Sequence, residues 1–319
     1  MNEFDAIARY FRWPTPQAVL GPGDDAALLG LPTGQTLAVS SDMLVCGRHF
    51  FADANPADLG HKALAVNLSD LAAMGAQPVG FTLALALPEL QPEWLEQFAQ
   101  GMQVLAQTHG CELIGGDTTA GPLTISITVF GQVSAEHALR RDRAQVDDDI
   151  YVSGSLGDAR LALHQRLGTT TFTLGDAEQA LVNGRMDRPT PRVTLGLGLR
   201  GLAHAAMDLS DGLAGDIQHI LRASRLGATL ALDQLPLSTV LRTLPATTAQ
   251  QLAACGGDDY ELLFTAPSQA RDAIQTLSAQ LALPLTRVGR IDANPGLRML
   301  DQHGLDQSAQ LHGFDHFSG

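Results

Sequence analysis

Five short segments of the chain place aspartate beside glycine, serine or asparagine, a composition suited to binding hard cations. Mg²⁺ prefers oxygen ligands, and one or two carboxylates usually link it to substrate phosphates. Carboxylates held close together repel one another unless a cation compensates their charge. The segments are Gly21–Asp25, Ser40–Asp42, Asn67–Asp70, Gly115–Thr119 and Asp208–Gly212. As a group they predict a site in which metal ions hold an anionic substrate.

Each segment taken alone also has a structural explanation. Glycine, proline and aspartate are common in turns, so Asp24–Asp25 and Gly115–Gly116 each fit a turn. Asp42 fits a cap, and Asp211 fits the N-cap of a helix that begins at Leu213. A helix N-terminus also favours anions, so the same segment suits a phosphate. The recurrence of these segments at strand ends and helix starts favours the metal interpretation.

The helical segment is the most informative of the five. Residues 61–74 read HKALAVNLSDLAAM, so the predicted helix is apolar on nearly every side and should be buried on most faces. Asn67 and Asp70 are spaced i, i+3 and share one side of it. A buried carboxylate is costly unless it is paired or bound to a metal. Asp70 is therefore either a structural aspartate satisfied by local donors or a metal ligand, and we favour the ligand.

The chain lacks the lysine-based phosphate loops of other nucleotide-binding proteins. Lys62 is its single lysine, and neither a GxxxxGK[ST] loop nor the V-A-I-K lysine of kinases is present. Lys62 precedes Asp70 by two helical turns, which makes it a poor phosphate ligand for the same site. Metal ions, backbone N–H groups and arginines must then bind phosphates. Arg48, His49 and Arg141 are candidates, although residues such as Arg48 and His49 more often lie at the surface and Arg141 equally suits a solvated linker.

The predicted elements that position these residues alternate between strands and helices. In the first half, we predict strands at 36–42, 79–88, 112–115 and 123–133, and helices at 57–75 and 92–109. In the second half, we predict the strand IYVSG and a helix ending at Leu163, a strand and helix within 205–224, and strands near 228–232, 260–266 and 286–291. The acidic run at 256–261 is interpreted as a glycine turn with a solvated acidic edge. The string GGD occurs at 115–117 and 256–258, which hints at duplication.

Length and charge limit the class of protein. The 319 residues, 45% of them hydrophobic, are enough for two α/β domains that each bury a core. The polar segment 134–149 separates them, and we predict domains at 1–140 and 141–319. The net charge is −14 and no basic run occurs, which argues against a nucleic-acid partner.

The cysteines and the lengths of the apolar runs indicate the cellular compartment. Cys46, Cys111 and Cys255 are far apart and odd in number, which disfavours a disulfide framework and a cysteine-rich zinc site. The N-terminal residues have no apolar stretch typical of a signal peptide. No apolar run approaches the roughly 18 residues of a membrane helix. We therefore expect a cytoplasmic protein without a membrane anchor.

Seven motifs, taken in order, resemble those of one family. They are PGDDAALL, VSSDMLVCGRHF, KALAVNLSDLAAMGAQP, LIGGDTTAGPLTISITVFG, AMDLSDGLAGDIQHI, GGDDYELLFT and GFDHF. Together they resemble the thiamine-monophosphate kinase family, within the aminoimidazole ribonucleotide synthetase superfamily, from about residue 20 to the C-terminus. NLSDLAAMGA and GGDT indicate the superfamily, and GRHF, GGDDYEL and GFDHF indicate the family.

The resemblance implies a two-domain α/β (α+β) fold and a phosphotransferase activity. The N-terminal domain would bind ATP and Mg²⁺ and form a homodimer through its sheet, and the C-terminal domain would complete the active site. The reaction implied is ATP plus thiamine monophosphate to ADP plus thiamine diphosphate. Several Mg²⁺ ions and direct in-line transfer, without a phosphoenzyme, are part of the same expectation.

The resemblance also assigns roles to residues of this chain at matching motif positions. The metal ligands would be Asp25, Ser40, Ser41, Asp42, Asp70, Asp117, Asp208 and Asp211. The catalytic aspartates would be Asp42, Asp70, Asp117 and Asp211, ATP would contact Gly116, Asp117, Arg141 and Ser210, and the thiamine substrate would contact His49, Asp258 and Phe314. The chain departs from the family where Ser41 replaces a frequent Thr, Asp258 a common Glu, and Phe314 a Tyr or Trp.

Other functions fit the motifs less well. Selenophosphate synthetase needs an N-terminal reactive cysteine and lysine, and the related hydrogenase maturation protein ends in a reactive cysteine, whereas this chain ends Ser318-Gly319. Aminoimidazole ribonucleotide synthetase is the best enzyme alternative. A non-catalytic regulator that binds a nucleotide or metal is the alternative from another class.

Overall fold

The computed structural model describes residues 2–311 and 313, and Phe314 lies outside them. The chain divides into two compact units, each with its own sheet. Unit 1 comprises residues 1–71 and 76–136, and unit 2 comprises 72–75 and 137–319. The mixed α/β architecture expected from the sequence is confirmed.

Unit 1 is built on a four-stranded sheet with the order β1-β4-β2-β3. Its strands are β1 (Thr36–Val45), β2 (Gln77–Leu87), β3 (Glu112–Ala120) and β4 (Thr124–Val133). β4 pairs antiparallel with β1 and β2, and β2 pairs parallel with β3. A short helix α1 (Glu3–Ala6) precedes the sheet, and α2 (Pro56–Ala73) and α3 (Pro92–His109) connect its strands. All six strand and helix predictions in this half fall on these elements.

The two faces of this sheet differ in composition. Alternate residues of β4, among them Ile125, Ile127 and Val129, are buried on one face, as a period of two requires. On the opposite face of β1, the side chains of Val39 and Met43 are 56% and 55% exposed. Unit 1 therefore has one covered face and one face with exposed apolar side chains.

The turn considered at Gly115–Gly116 is wrong. β3 continues through Gly115, Gly116 and Asp117 to Ala120, and the turn occupies only 121–123. Gly116 has φ 152°, and a Cβ there would lie 1.9 Å from the Leu83 carbonyl oxygen of β2. A side chain at Gly116 would force the strands apart, so this glycine serves close strand pairing.

Unit 2 contains a six-stranded sheet with the order β10-β7-β9-β5-β8-β6. Its strands are β5 (Asp149–Ser153), β6 (Ala205–Asp208), β7 (Gly227–Ala231), β8 (Leu262–Ala266), β9 (Leu285–Asp292) and β10 (Gly296–Leu300). Its helices are α4 (Asp158–Arg166), α5 (Asp176–Asp187), α6 (Val193–Gly198), α7 (Leu213–Ser224), α8 (Ala246–Cys255) and α9 (Arg271–Leu281). Residues of β5 to β10 and of α7 and α8 share one apolar core, which includes Ile150, Leu213 and Leu263.

The end of the polar segment 134–149 is more ordered than its composition suggests. Asp148 and Asp149 are 2% and 1% exposed, and Asp149 is the first residue of β5. Asp148 accepts hydrogen bonds from the Gln145 backbone and the Thr265 hydroxyl, and it contacts His204 Nδ1 at 2.9 Å. These carboxylates therefore belong to the core of unit 2.

Candidate active site

The first strand and second helix of unit 1 bring three of the predicted residues together. Ser40 Oγ on β1 donates a hydrogen bond of 2.5 Å to Asp70 Oδ2 on α2. Two residues along β1, the Asp42 backbone N–H donates to Asn67 Oδ1 at 3.0 Å. Asn67 is buried and donates its own amide to the Ala63 carbonyl, which fixes its orientation. The i, i+3 pair on the helix therefore faces the SSD segment of the strand.

Ser41 and Asp117 belong to the other face of the same sheet. Ser41 Oγ donates to the Ile127 carbonyl and accepts from Thr128 Oγ1 at 3.1 Å. Asp117 pairs with Ala84, an exposed position of β2, and Asp117 is itself exposed. Asp42 and Asp117 also lie three strands apart, about 14 Å at ordinary strand spacing. Unit 1 does not bring these two carboxylates together.

Asp25 and His49 lie in turns outside the strands. Asp25 is exposed at the tip of a hairpin whose ends pair Leu20 with Leu28, and its N–H donates to Asp24 Oδ1 at 2.8 Å. The turn interpretation of this segment is therefore right about its conformation. After β1, the Val45 N–H donates to His49 Nδ1 at 3.0 Å. In the neutral ring this places the proton on Nε2.

In unit 2, the segments Asp208–Gly212 and Gly256–Glu261 lie side by side. Three backbone hydrogen bonds join them: Leu209 N–H to the Glu261 carbonyl, Asp258 N–H to the Ser210 carbonyl, and Tyr260 N–H to the Leu209 carbonyl, at 2.8 to 2.9 Å. Asp208 is the last residue of β6 and is buried. The structure therefore places the metal, ATP and substrate candidates Asp208, Ser210, Asp211 and Asp258 on two adjacent segments.

Asp216, in the first turn of α7, is a site residue that the sequence reasoning missed. Its carboxylate is 2% exposed and accepts the Asp211 N–H at 3.0 Å. Burial raises the pKa of Asp216 to about 7, against the lowering effect of this backbone hydrogen bond. Gly212, with φ 100°, precedes the helix and makes no side-chain cap. Asp216 reaches back to the loop and replaces the predicted N-cap.

The predicted solvated acidic edge at 256–261 is wrong for two of its three carboxylates. Asp259 and Glu261 are 3% and 0% exposed. Asp259 accepts the Gly157 N–H at 2.9 and 3.1 Å, and burial raises its pKa well above the usual range. Only Asp258 and Tyr260 are partly exposed, and Tyr260 Oη donates to Asp258 Oδ1 at 3.2 Å. No local signal marks this burial, because the arginines that contact Glu261 are far from it in sequence.

The remaining candidates are less constrained. Arg141 is exposed at the start of a 3-10 turn, and its carbonyl accepts from Ser224 Oγ at 2.9 Å. A Cβ on Gly215 of α7 would lie 2.9 Å from the Gly313 Cα, so the start of the GFDHF motif packs near the Asp211 loop. Phe314 is outside the described residues. Across residues 2–311 and 313, no three His, Cys, Asp or Glu side chains form a ready cation cluster.

Known families and proteins are similar to the chain along its whole length. The AIR synthase related protein N-terminal domain matches residues 23–133, and the corresponding C-terminal domain matches residues 145–302. A thiamine-monophosphate kinase of Salmonella typhimurium is 45% identical over 99% of this chain and 98% of its own length.

Solved structures agree with this placement. The thiamine-monophosphate kinase of Stenotrophomonas maltophilia has a TM-score of 0.85 at 49% identity, covering 93% of this chain and 94% of its own. A structure of AaThiL complexed with AMPPCP and TMP has a TM-score of 0.78 at 29% identity, covering 92% and 91%. The chain therefore belongs to the AIR synthase related family and, within it, to the thiamine-monophosphate kinases.

Proposed function

We propose that this enzyme transfers the γ-phosphoryl group of ATP to thiamine monophosphate, giving ADP and thiamine diphosphate. The observation that carries this proposal is the 45% identity to a thiamine-monophosphate kinase over 99% of the chain. The likeness to AaThiL, whose structure contains AMPPCP and TMP, supports both substrates. Aminoimidazole ribonucleotide synthetase, the best enzyme alternative from the motifs, is disfavoured by this similarity to thiamine-monophosphate kinases.

The side chains of both units suit a reaction that needs positioning more than a strong base. The acceptor phosphate is already anionic, so it needs little deprotonation before it attacks the γ-phosphorus in line. In unit 1, Ser40 holds the Asp70 carboxylate and Asn67 holds the Asp42 backbone. Asp216 holds the backbone of Asp211 from inside unit 2.

The donor chemistry fits Mg²⁺. The candidate ligands are hydroxyl and carboxylate oxygens, and Ser40 already contacts Asp70. Mg²⁺ commonly takes only one or two protein carboxylates and completes its shell with water and phosphate oxygens, so a ready cluster of three is not required. We propose that Asp25, Ser40, Ser41, Asp42, Asp70, Asp117, Asp208 and Asp211 hold several such ions. When bound, Mg²⁺ neutralises charge on the transferring phosphates.

The other substrate contacts follow the family assignment. We propose that Gly116, Asp117, Arg141 and Ser210 contact ATP, and that His49, Asp258 and Phe314 contact the thiamine substrate. The Val45 N–H donates to His49 Nδ1, which fixes the orientation of the imidazole ring. Asp258 carries a carboxylate oriented by Tyr260, which suits a cationic thiazolium ring.

We propose that the enzyme is a homodimer and that unit 1 forms its interface. Leu37, Val39 and Met43 leave a row of exposed apolar side chains along β1, and such a face on a soluble sheet usually marks an interaction surface. Sedimentation of the wild type and of Val39→Asp should show the dimer and its loss. A monomeric wild type would contradict this assembly.

The compartment is part of the same proposal. Cys46, Cys111 and Cys255 are all free thiols, as in a reducing compartment. Among the described residues, no helix combines the length and apolar character of a membrane span. We propose that the enzyme acts in the cytoplasm.

Release of ADP with and without thiamine monophosphate tests the proposed activity. ADP should form only when ATP, Mg²⁺ and thiamine monophosphate are all present. Asp42→Asn and Asp70→Asn should lose nearly all turnover with the fold retained. ADP release from ATP in the presence of 5-phosphoribosyl-formylglycinamidine but not of thiamine monophosphate would favour the synthetase, and no release with either compound would favour a non-catalytic binding protein.

A further inference from the structure

The segment Gly256–Glu261 sends alternate side chains in two directions. Asp259 and Glu261 are buried, whereas Asp258 and Tyr260 are partly exposed. Asp258 and Tyr260 have φ of 66° and 48°, in the left-handed region that non-glycine residues seldom occupy. Two such residues within three positions persist only where the surrounding structure fixes them. The groups that fix this segment therefore determine where the Asp258 carboxylate lies.

Glu261 is the most heavily bonded side chain of the segment. It accepts from Ser153 Oγ at 2.5 Å, from Arg192 Nε at 2.6 Å, and from the Nη2 atoms of Arg192 and Arg185. Arg192 contacts both carboxylate oxygens, the bidentate geometry that fixes position most strongly. Arg185 also donates to the Ser155 carbonyl at 3.3 Å. Glu261 is thus held from β5, from α5 and from the residue before α6.

Two further features hold the arrangement in place. Asp259, which directly follows Asp258 and is buried like Glu261, accepts the Gly157 N–H at 2.9 Å. A Cβ on Gly154 would lie 2.1 Å from Glu261 Oε1, so the β5 backbone closes directly over the carboxylate. The acidic pair and its arginines are part of the packed interior. In the partly exposed pair, Tyr260 Oη donates a 3.2 Å hydrogen bond to Asp258 Oδ1, and the backbone N–H groups of both residues donate to carbonyls of the 208–212 segment.

We propose that Arg192, acting with Arg185 through Glu261, is a positioning residue for the thiamine substrate, because it fixes the segment that carries Asp258. This inference rests on the proposed function, in which Asp258 contacts that substrate. Ser153, Arg185, Arg192 and Glu261 are absent from the family-based site assignment. Arg192 touches no reacting atom in this account and acts only through Glu261.

The test compares Arg192→Met with Arg192→Lys in the full-length enzyme. Steady-state ADP release gives KM for thiamine monophosphate and KM for ATP separately. Arg192→Met should raise KM for thiamine monophosphate about tenfold and change KM for ATP less than about twofold. Arg192→Lys keeps the charge but loses the bidentate contact, so its KM should be intermediate.

Arg271→Met is the matched control. Arg271 makes a bidentate contact to a different buried carboxylate, Asp149, in the same unit. It should leave KM for thiamine monophosphate unchanged even where it lowers stability. An equal rise in KM for both methionine variants, or no rise for Arg192→Met, would overturn the proposal.

A milder variant keeps the test decisive if Arg192→Met does not fold. Ser153→Ala removes one hydroxyl donor to Glu261 and should raise KM for thiamine monophosphate about threefold. An unchanged KM there would also contradict the proposal. Wild-type enzyme that releases no ADP with thiamine monophosphate would instead refute the proposed function, so the two failures are distinct.

Discussion

Two clusters in unit 2 have the same chemistry and different surroundings. In each, a buried carboxylate accepts hydrogen bonds from two arginines: Glu261 from Arg185 and Arg192, and Asp149 from Arg271 and Arg287. The arginine side chains at Glu261 are 20% and 16% exposed, and those at Asp149 are 51% and 54% exposed. The Glu261 cluster is mostly enclosed, whereas the Asp149 cluster has its arginines half exposed at the surface.

The two clusters stabilise different parts of unit 2: the Glu261 cluster holds a loop, and the Asp149 cluster connects regular elements. Asp149 connects the start of β5 to β9 and α9, which are regular elements with their own hydrogen bonds. Glu261 connects a loop of unusual backbone conformation to β5 and to the residues around α5 and α6. Water can solvate the exposed arginines and the carboxylate of the Asp149 cluster when a partner is lost. It has much less access to the arginines of the Glu261 cluster. Removal of each carboxylate should therefore have unequal consequences.

The largest expected effect is on stability when each carboxylate is neutralised. Glu261→Gln should lower the free energy of unfolding by about 3 to 5 kcal/mol, because it leaves enclosed guanidinium groups without their charge partner. Asp149→Asn should cost about 1 to 2 kcal/mol, because its arginines can be hydrated. Urea denaturation of both variants measures this directly. Equal losses would show that enclosure does not distinguish the clusters.

A smaller effect is expected when one arginine of each cluster is replaced. Arg185→Met should lower the free energy of unfolding by about 2 kcal/mol, because Glu261 stays buried with less compensation. Arg287→Met should cost about 0.5 kcal/mol, since Arg271 still makes the bidentate contact to Asp149. Thermal unfolding in the same buffer checks the ratio. A larger loss of unfolding free energy for Arg287→Met than for Arg185→Met would contradict the claim that the enclosed cluster contributes more to stability.

The smallest expected effect is on acid stability. Burial acts to raise the pKa of Asp149, but the hydrogen bonds and charges of Arg271 and Arg287 hold it below its usual value. A depressed carboxyl pKa contributes stability above the unfolded-state pKa of about 4, and this contribution is lost as the pH falls through the folded-state value. The wild type should thus lose about 1 kcal/mol more than Asp149→Asn between pH 5 and pH 3. Parallel pH profiles would contradict this.

Much of the fold could be predicted because local patterns determine it. The alternation of β4 and the long apolar runs of α2 and α3 are visible within single segments. The GG pair at 115–116 was misjudged because the need for glycine comes from the neighbouring strand, at Leu83. The repeated GGD string, a strand at 115–117 and a loop at 256–258, takes two different conformations. It therefore gives no structural support to a duplication.

The sequence identifies candidate site residues by their types and spacing, but it does not identify the distant residues that hold them in place. The residues Ser40 and Asp70 were identified as candidates, but β1 continues past Asp42 to Val45, so the contact between them lies within the strand and not at its end. The burial of Glu261 depends on arginines that lie 76 and 69 residues away in sequence. Such partners leave no local signal, so an acidic run before a strand was interpreted as solvated. Asp216 was missed because a carboxylate in a first helical turn ordinarily faces solvent.

The most direct test of the central claim is ³¹P NMR of the product formed from ATP, Mg²⁺ and thiamine monophosphate. The account predicts that the thiamine monophosphate signal is replaced by the two signals of a thiamine diphosphate, with ADP formed in equal amount. Asp42→Asn, under the same conditions, should leave the starting spectrum almost unchanged. Inorganic phosphate with unaltered thiamine monophosphate, or no reaction by the wild type, would contradict the claim that this chain is a phosphotransferase acting on thiamine monophosphate.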